Sequence, residues 1–156
     1  MTRKPFKDLL NPSKSPIPLP YFNPEKADAC LECGGECVPS CPEKIIFKVE
    51  QNKPYLQVEQ RGCTFCKKCI VACKGTGFNV LEEARGDLIQ AIAQIDLSTC
   101  LSYQKVICFS CKDACIVDAI HFTGLFYPSI QTSCTGCGMC VGVCPTQAIQ
   151  LITQGG

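Results

Sequence analysis

Apolar residues come in short bursts along this chain, and polar turn residues separate them. "IIFKVE" and "YLQVE" flank "QNKP" at residues 45–59. Two β-branched or aromatic runs around a Pro-containing turn predict a β-hairpin of short strands. The shape returns at 116–133, where "IVDAIHFTGLFYPSIQTS" reads as a short helix, a strand, a turn at Gly124 and a second strand. Pro42 and Pro145 each suit the first position of a short helix, because the missing N–H is no loss there. "PTQAIQLI" then predicts a helix start and a last strand. Between the two hairpins, "NVLEEARGD" reads as a polar helical turn ended by Gly86, and "LIQAIAQID" reads as a strand. No stretch approaches the ~18 consecutive apolar residues of a membrane span, so no direct membrane insertion is expected.

The opening residues follow another rule. Residues 1–26 hold Pro5, Pro12, Pro16, Pro18, Pro20 and Pro24 together with five basic residues. That composition excludes a long helix and predicts an extended arm lying on the body or docking a partner. The arm has a basic start but no apolar run of signal-peptide length and no Arg-Arg pair. The expectation is therefore a cytoplasmic protein.

Composition changes the picture at one point. The 156 residues carry 15 Lys+Arg against 14 Asp+Glu, so charge gives no reason to expect nucleic acid as a partner. Trp is absent and aromatic residues are only 8%, which makes for a thin apolar core. Sixteen cysteines stand against this, and something besides apolar burial is expected to hold the fold. In a reducing compartment, clustered cysteines point to metal more than to disulfides.

The cysteines form four quartets with none left over: Cys30, Cys33, Cys37, Cys41; Cys63, Cys66, Cys69, Cys73; Cys100, Cys108, Cys111, Cys115; and Cys134, Cys137, Cys140, Cys144. The second and fourth share the spacing C-x2-C-x2-C-x3-C. The first has one extra residue before Cys37, and the third has seven residues between Cys100 and Cys108. This is an internal repeat of cysteine loop, helix and hairpin. Twenty-one residues separate Cys41 from Cys63 and eighteen separate Cys115 from Cys134, against twenty-six between Cys73 and Cys100. The longest gap reads as the connector, which gives an arm at 1–26 and two halves at 27–86 and 87–156.

Three thiolates at x2 spacing wind a tight loop around one face of a metal–sulfide cube, and soft sulfur ligands suit iron–sulfur clusters. Zinc sites use two separated pairs rather than runs of three with a trailing fourth. In two-cluster ferredoxins the fourth cysteine of such a run ligates the other cluster. With that crossing and sequential pairing, the ligand sets are Cys30, Cys33, Cys37, Cys73; Cys63, Cys66, Cys69, Cys41; Cys100, Cys108, Cys111, Cys144; and Cys134, Cys137, Cys140, Cys115. The alternative is nested pairing, first quartet with fourth and second with third. Four [4Fe–4S] clusters at about −2 each would take the chain from +1 to roughly −7. Lys67, Lys68, Lys74 and Lys112 lie in or beside the loops, either to favour reduced clusters or simply to reach water. His121, the single histidine, is expected to be structural or exposed, because every quartet is already complete. No phosphate loop, dinucleotide fingerprint or Ser/His/Asp set is present, so one-electron transfer by the cofactors is expected, with no catalytic residue and no enzyme activity.

The repeated motif resembles bacterial ferredoxins of the 2×[4Fe–4S] type. Residues 100–149 resemble something narrower. "CLSYQKVICFSCKDACIVDAIHF", "GLFYPSI" and "CTGCGMCVGVCPTQAI" are similar to the C-terminal half of the NapF family, the ferredoxin-type accessory proteins of periplasmic nitrate reductase systems. "CTFCKKCIVAC" is similar to that family's second motif, and the likeness covers roughly residues 28–151. The resemblance implies a cytoplasmic protein with four [4Fe–4S] clusters. It would act on the precursor of the molybdenum-containing nitrate reductase catalytic subunit before export, or supply electrons within that system. The chain departs from the pattern in the x3 of its first quartet, in the absence of Pro after Cys73 and Cys115, and in an arm without paired arginines. The expected fold is α+β, two tandem ferredoxin-like halves with an extended N-terminal arm. The rival functions are an electron carrier or subunit for a hydrogenase, formate dehydrogenase or other molybdoenzyme, and a redox or oxygen sensor.

Overall fold

A computed structural model describes residues 16–153. Among the described residues, five short α-helices and six short strands make a mixed α and β structure. The helices are α1 (Ala29–Glu32), α2 (Cys37–Ser40), α3 (Lys68–Gly75), α4 (Ser110–Asp113) and α5 (Met139–Gly142). The strands are β1 (Ile46–Phe47), β2 (Tyr55–Leu56), β3 (Ala91–Ile95), β4 (Ile120–Thr123), β5 (Phe126–Ile130) and β6 (Ile149–Thr153).

Among the described residues, every sheet is antiparallel and two-stranded. β1 and β2 form one hairpin, with Ile46 opposite Leu56. β4 and β5 form the other, turned at Gly124 with φ +67°, a conformation that costs glycine little. The third ladder is long-range: β3 runs against β6, from Ala91 opposite Thr153 to Ile95 opposite Ile149. Ala91, Ala93, Ile149 and Leu151 alternate inward on these strands, as the two-residue period of a strand requires.

Helix placement differs from the sequence expectation. No helix follows Cys41, Cys115 or Cys144; each is followed by a turn. The third residue after each cysteine (Lys44, Asp118 and Gln147) has φ of +55°, +48° and +55°. This reversal swings the next N–H back toward the thiol: Ala119 donates to Cys115 Sγ and Ala148 to Cys144 Sγ, both at 3.2 Å. A helix starting there would aim those N–H groups along its own axis instead. The helical turns lie earlier, inside the cysteine loops, where α2, α3, α4 and α5 carry Cys37, Cys69, Cys111 and Cys140. The first hairpin is also shorter than "IIFKVE" and "YLQVE" suggest, with two residues paired on each side.

Of the stretch expected as an arm, residues 1–15 lie outside the described residues. Residues 17–23 are built into the body. Leu56 donates its N–H to the Ile17 carbonyl at 2.8 Å, Asn23 donates to Val80 at 3.0 Å, and Glu82 donates to Tyr21 at 2.8 Å. Leu19 and Tyr21 are buried, a stabilisation of about 1.5–3 kcal/mol per side chain. The segment runs beside 80–82 as β3 runs beside β6.

One connected core runs through the molecule, and six cysteines are among its buried members: Cys30, Cys37, Cys69, Cys73, Cys111 and Cys140. Thiols occupy the places that large aliphatic side chains fill in an ordinary domain.

Candidate iron–sulfur sites

All sixteen cysteines are unbridged. They line four cavities. The first is walled by Cys30, Cys33, Cys37 and Cys73, with Gly35, Lys48 and Val80. The second is walled by Cys41, Cys63, Cys66 and Cys69, with Tyr21 and Phe65. The third has Cys100, Cys108, Cys111 and Cys144, with Ser102 and Pro128. The fourth has Cys115, Cys134, Cys137 and Cys140, with Thr135 and Ala119. Each brings three cysteines of one quartet together with the last cysteine of its neighbour. The atom-free space in the four is alike, about 390, 360, 340 and 320 Å³ including parts open to solvent. The four cavities are thus similar in size and identical in donor set.

The local backbone explains how short loops achieve this. In the second quartet Phe65 and Lys67 have φ of +51° and +62°; in the fourth, Gly136 and Gly138 stand at the equivalent places with +69° and +77°. The left-handed turns coil the chain so that three thiols face one side. For Phe65 and Lys67 that conformation carries strain, which the surrounding loop has to offset. Main-chain N–H groups converge on the sulfurs: Gly35 on Cys33 and Phe65 on Cys63 at 3.4 Å, and Val80 on Cys73 at 3.3 Å. With the Ala119 and Ala148 contacts, each cavity has at least one thiol sulfur accepting from the main chain. Such donors favour a sulfur that bears negative charge.

Several of the buried thiols resist ionisation. Burial, with neighbouring cysteine sulfurs adding to it, pushes Cys37 and Cys111 up to about 11 and Cys69 and Cys140 up to about 12. Burial likewise lifts Cys63 to about 11, against the opposing pull of the Phe65 N–H. A thiolate is stable in these places only beside a compensating cation, which a thiophilic metal provides. Among the described residues, no three Cys, His, Asp or Glu side chains converge closely enough to hold one metal ion. The sulfurs stand around voids instead, as a polynuclear cluster with its own sulfides requires. The Thr135 hydroxyl, on the wall of the fourth cavity, is buried with no hydrogen-bond partner. A guest with acceptor sulfurs would meet that need. The residues present therefore fit the cluster chemistry.

The family model for a 4Fe–4S binding domain matches residues 128–150, which run from β5 through the fourth quartet into β6. The ferredoxin-type protein NapF of Haemophilus influenzae is 33% identical over 128 residues, spanning 78% of this chain and 69% of that protein. The chain belongs to the NapF family of ferredoxin-type proteins. As a NapF-family protein it is an iron–sulfur, 4Fe–4S ferredoxin of electron transport. No solved structure gives a significant match. Among the described residues, no helix is long and apolar enough to cross a membrane.

Other residues singled out from the sequence fall as follows. Lys68, Lys74 and Lys112 are exposed. Lys67 is paired with Glu83 at 2.5 Å, so much of its charge is answered locally. His121 is exposed on β4. Two wall residues escaped the sequence reading. Lys48 lines the first cavity and its ammonium donates to the Cys33 carbonyl. Tyr21, in the presumed arm, lines the second cavity. Lys48 lay in a stretch read only as strand, and Tyr21 in a stretch read as an extended arm lying on the body or docking a partner. Neither had a local signal tying it to a quartet far along the chain.

Proposed function

We propose that this NapF-family protein carries four [4Fe–4S] clusters, one in each cysteine-lined cavity. On this reading the ligand sets are Cys30, Cys33, Cys37, Cys73; Cys41, Cys63, Cys66, Cys69; Cys100, Cys108, Cys111, Cys144; and Cys115, Cys134, Cys137, Cys140. The observation that carries it is that sixteen cysteines divide into four cavities of four with no remainder. Each bound cluster supplies storage for one electron at a time. The chain's own residues do the rest. The cysteines bind, the N–H groups of Gly35, Phe65, Val80, Ala119 and Ala148 orient the sulfurs and soften their charge, and Tyr21, Ile45 and Leu56 shield the second cavity from water.

The task we assign is electron transfer and accessory maturation for the molybdenum-containing periplasmic nitrate reductase, through the cytoplasmic precursor of its catalytic subunit. Family membership supports this, and the absence of any organic catalytic set from the sequence agrees with a carrier that performs no chemistry of its own. The proposal also places the protein in the cytoplasm.

Anaerobic affinity purification of the tagged, cluster-loaded protein tests it, with co-purifying chains identified by mass spectrometry. The expected catch is the unexported catalytic subunit, together with loss of nitrate reductase activity on deletion. A hydrogenase, a formate dehydrogenase or another molybdoenzyme in its place would make the chain a carrier for that complex.

A further inference from the structure

The two halves meet at one tight joint, and that joint lies between two cysteine loops. The Cys63 N–H donates to the Cys137 carbonyl at 2.7 Å. Cys63 lines the second cavity and Cys137 the fourth. The approach is closer than side chains would allow. A Cβ on Gly62 would lie 2.4 Å from the Met139 nitrogen and 2.7 Å from the Cys137 oxygen. A Cβ on Gly142 would lie 2.1 Å from the Gln60 oxygen, and one on Gly138 2.7 Å from Val58 Cβ. Backbone therefore packs on backbone where Gln60 to Cys63 meet Cys137 to Gly142, and the Val58 side chain covers Gly138. None of the four cavities takes a wall residue from the opposite half, and the joint is made by the backbones of the second and fourth cysteine loops.

Within each half the ligand-bearing helices also pack on one another: α2, with Cys37, against α3, with Cys69 and Cys73; and α4, with Cys111, against α5, with Cys140. These contacts give an order that differs from the order along the chain. First cavity touches second, second touches fourth, and fourth touches third.

We propose that the glycine joint at Gly62 and Gly142 is the electron-transfer contact between the halves, making the four sites a single series in the order first, second, fourth, third. This rests on the four-cluster reading above. An electron leaving the second site is gained by the fourth; one site is oxidised and the other reduced by one electron, with no bond broken and no proton moved. Gly62 and Gly142 act as positioning residues, since they line none of the four cavities but hold Cys63 against Cys137. A protein with two unconnected pairs would have no use for this close approach between ligand loops.

The test uses the full-length, anaerobically loaded protein. Iron and acid-labile sulfide are counted first, and the dithionite-reduced sample is then examined by low-temperature and pulsed dipolar EPR. The expected count is roughly sixteen irons per chain, four for each site. The expected spectrum requires magnetic coupling that links all four reduced sites into one group. Gly142→Ala suits a helix better than glycine but meets Gln60. It should keep the iron count and weaken the coupling across the joint, leaving the coupling within each pair unchanged. Gly75→Ala, whose added Cβ enters open space, should match the parent. Full iron with two independent pairs in the parent protein would overturn the joint, as would unchanged coupling in Gly142→Ala. An iron count well short of sixteen would bring down the four-cluster reading itself, a failure visible before any EPR. Should Gly142→Ala not hold iron, the parent spectrum decides alone.

Discussion

The phenol of Tyr21 donates a hydrogen bond of 2.6 Å to the carboxylate of Asp87, across 66 residues of chain. The bond ties the N-terminal segment to the stretch between the second and third cysteine quartets, and Tyr21 also lines the second cysteine cavity. The Tyr21 ring stands edge-on to Phe65, with ring centroids 6.3 Å apart.

Removing this clasp should loosen the second site first. Tyr21→Phe is expected to cost about 1 kcal/mol, the typical net worth of a hydrogen bond. Tyr21→Ala should cost about 3–5 kcal/mol, because it also opens a cavity in the core. Iron retention during anaerobic urea titration, followed by visible absorbance, would measure both. Equal retention in all three proteins would mean that the segment is not a structural wall.

Serine at the fourth cysteine of a run, combined with serine at a first cysteine, separates the two pairings. With sequential sets, Cys73→Ser should damage the site that also holds Cys30, Cys33 and Cys37, and Cys41→Ser the site that holds Cys63, Cys66 and Cys69. Mössbauer spectra of the double variant Cys30→Ser with Cys73→Ser should show one altered site, or one quarter of the iron lost, where nested pairing would alter two. Nested pairing would instead couple Cys73 to the third quartet and Cys41 to the fourth.

Lys48 gives an electrostatic prediction. Its ammonium, held on the Cys33 carbonyl, places positive charge beside the first cavity. Lys48→Met keeps the apolar stem and removes the charge, so the added electron is held less tightly. The potential of one site should fall by roughly 40 mV, the one-electron equivalent of about 1 kcal/mol. Redox titration monitored by EPR reads it, and unchanged potentials at all sites would refute it.

Iron removal should leave little stable fold, since core positions are occupied by thiols that need metal beside them. What remains should depend on pH in a definite direction. Cys37, Cys63, Cys69, Cys111 and Cys140 have pKa values raised to about 11 or 12, above the ordinary thiol value near 8.5. Folding therefore holds these protons more tightly than the unfolded chain does. The associated stability is present below about pH 8.5 and lost as pH rises from there through 11 to 12. Circular dichroism of the metal-free chain should show less structure at pH 10 than at pH 7. The cluster-loaded protein should be nearly indifferent over that range.

The chemistry was legible early because cysteine is a rare residue whose spacing carries its purpose. Four complete quartets, the two hairpins, the turn at Gly124 and the strand at Ala91–Ile95 could all be read from local pattern. The turns after Cys41, Cys115 and Cys144 could not. Pro42 and Pro145 suit a helix start as well as a turn, and the need to bring Ala119 and Ala148 N–H groups back to sulfur is a demand of the site, not of the local sequence.

By itself, then, the sequence determined the ligand type, the repeat and the NapF-family likeness, all properties of residues a few positions apart. Tertiary structure alone decided which distant residues meet. It drew Tyr21 from among prolines into the core, set Lys48 beside Cys33, and laid Cys63 on Cys137. Such meetings depend on how closely two backbones can approach in space, and a glycine at position 62 or 142 does not announce which carbonyl it is making room for.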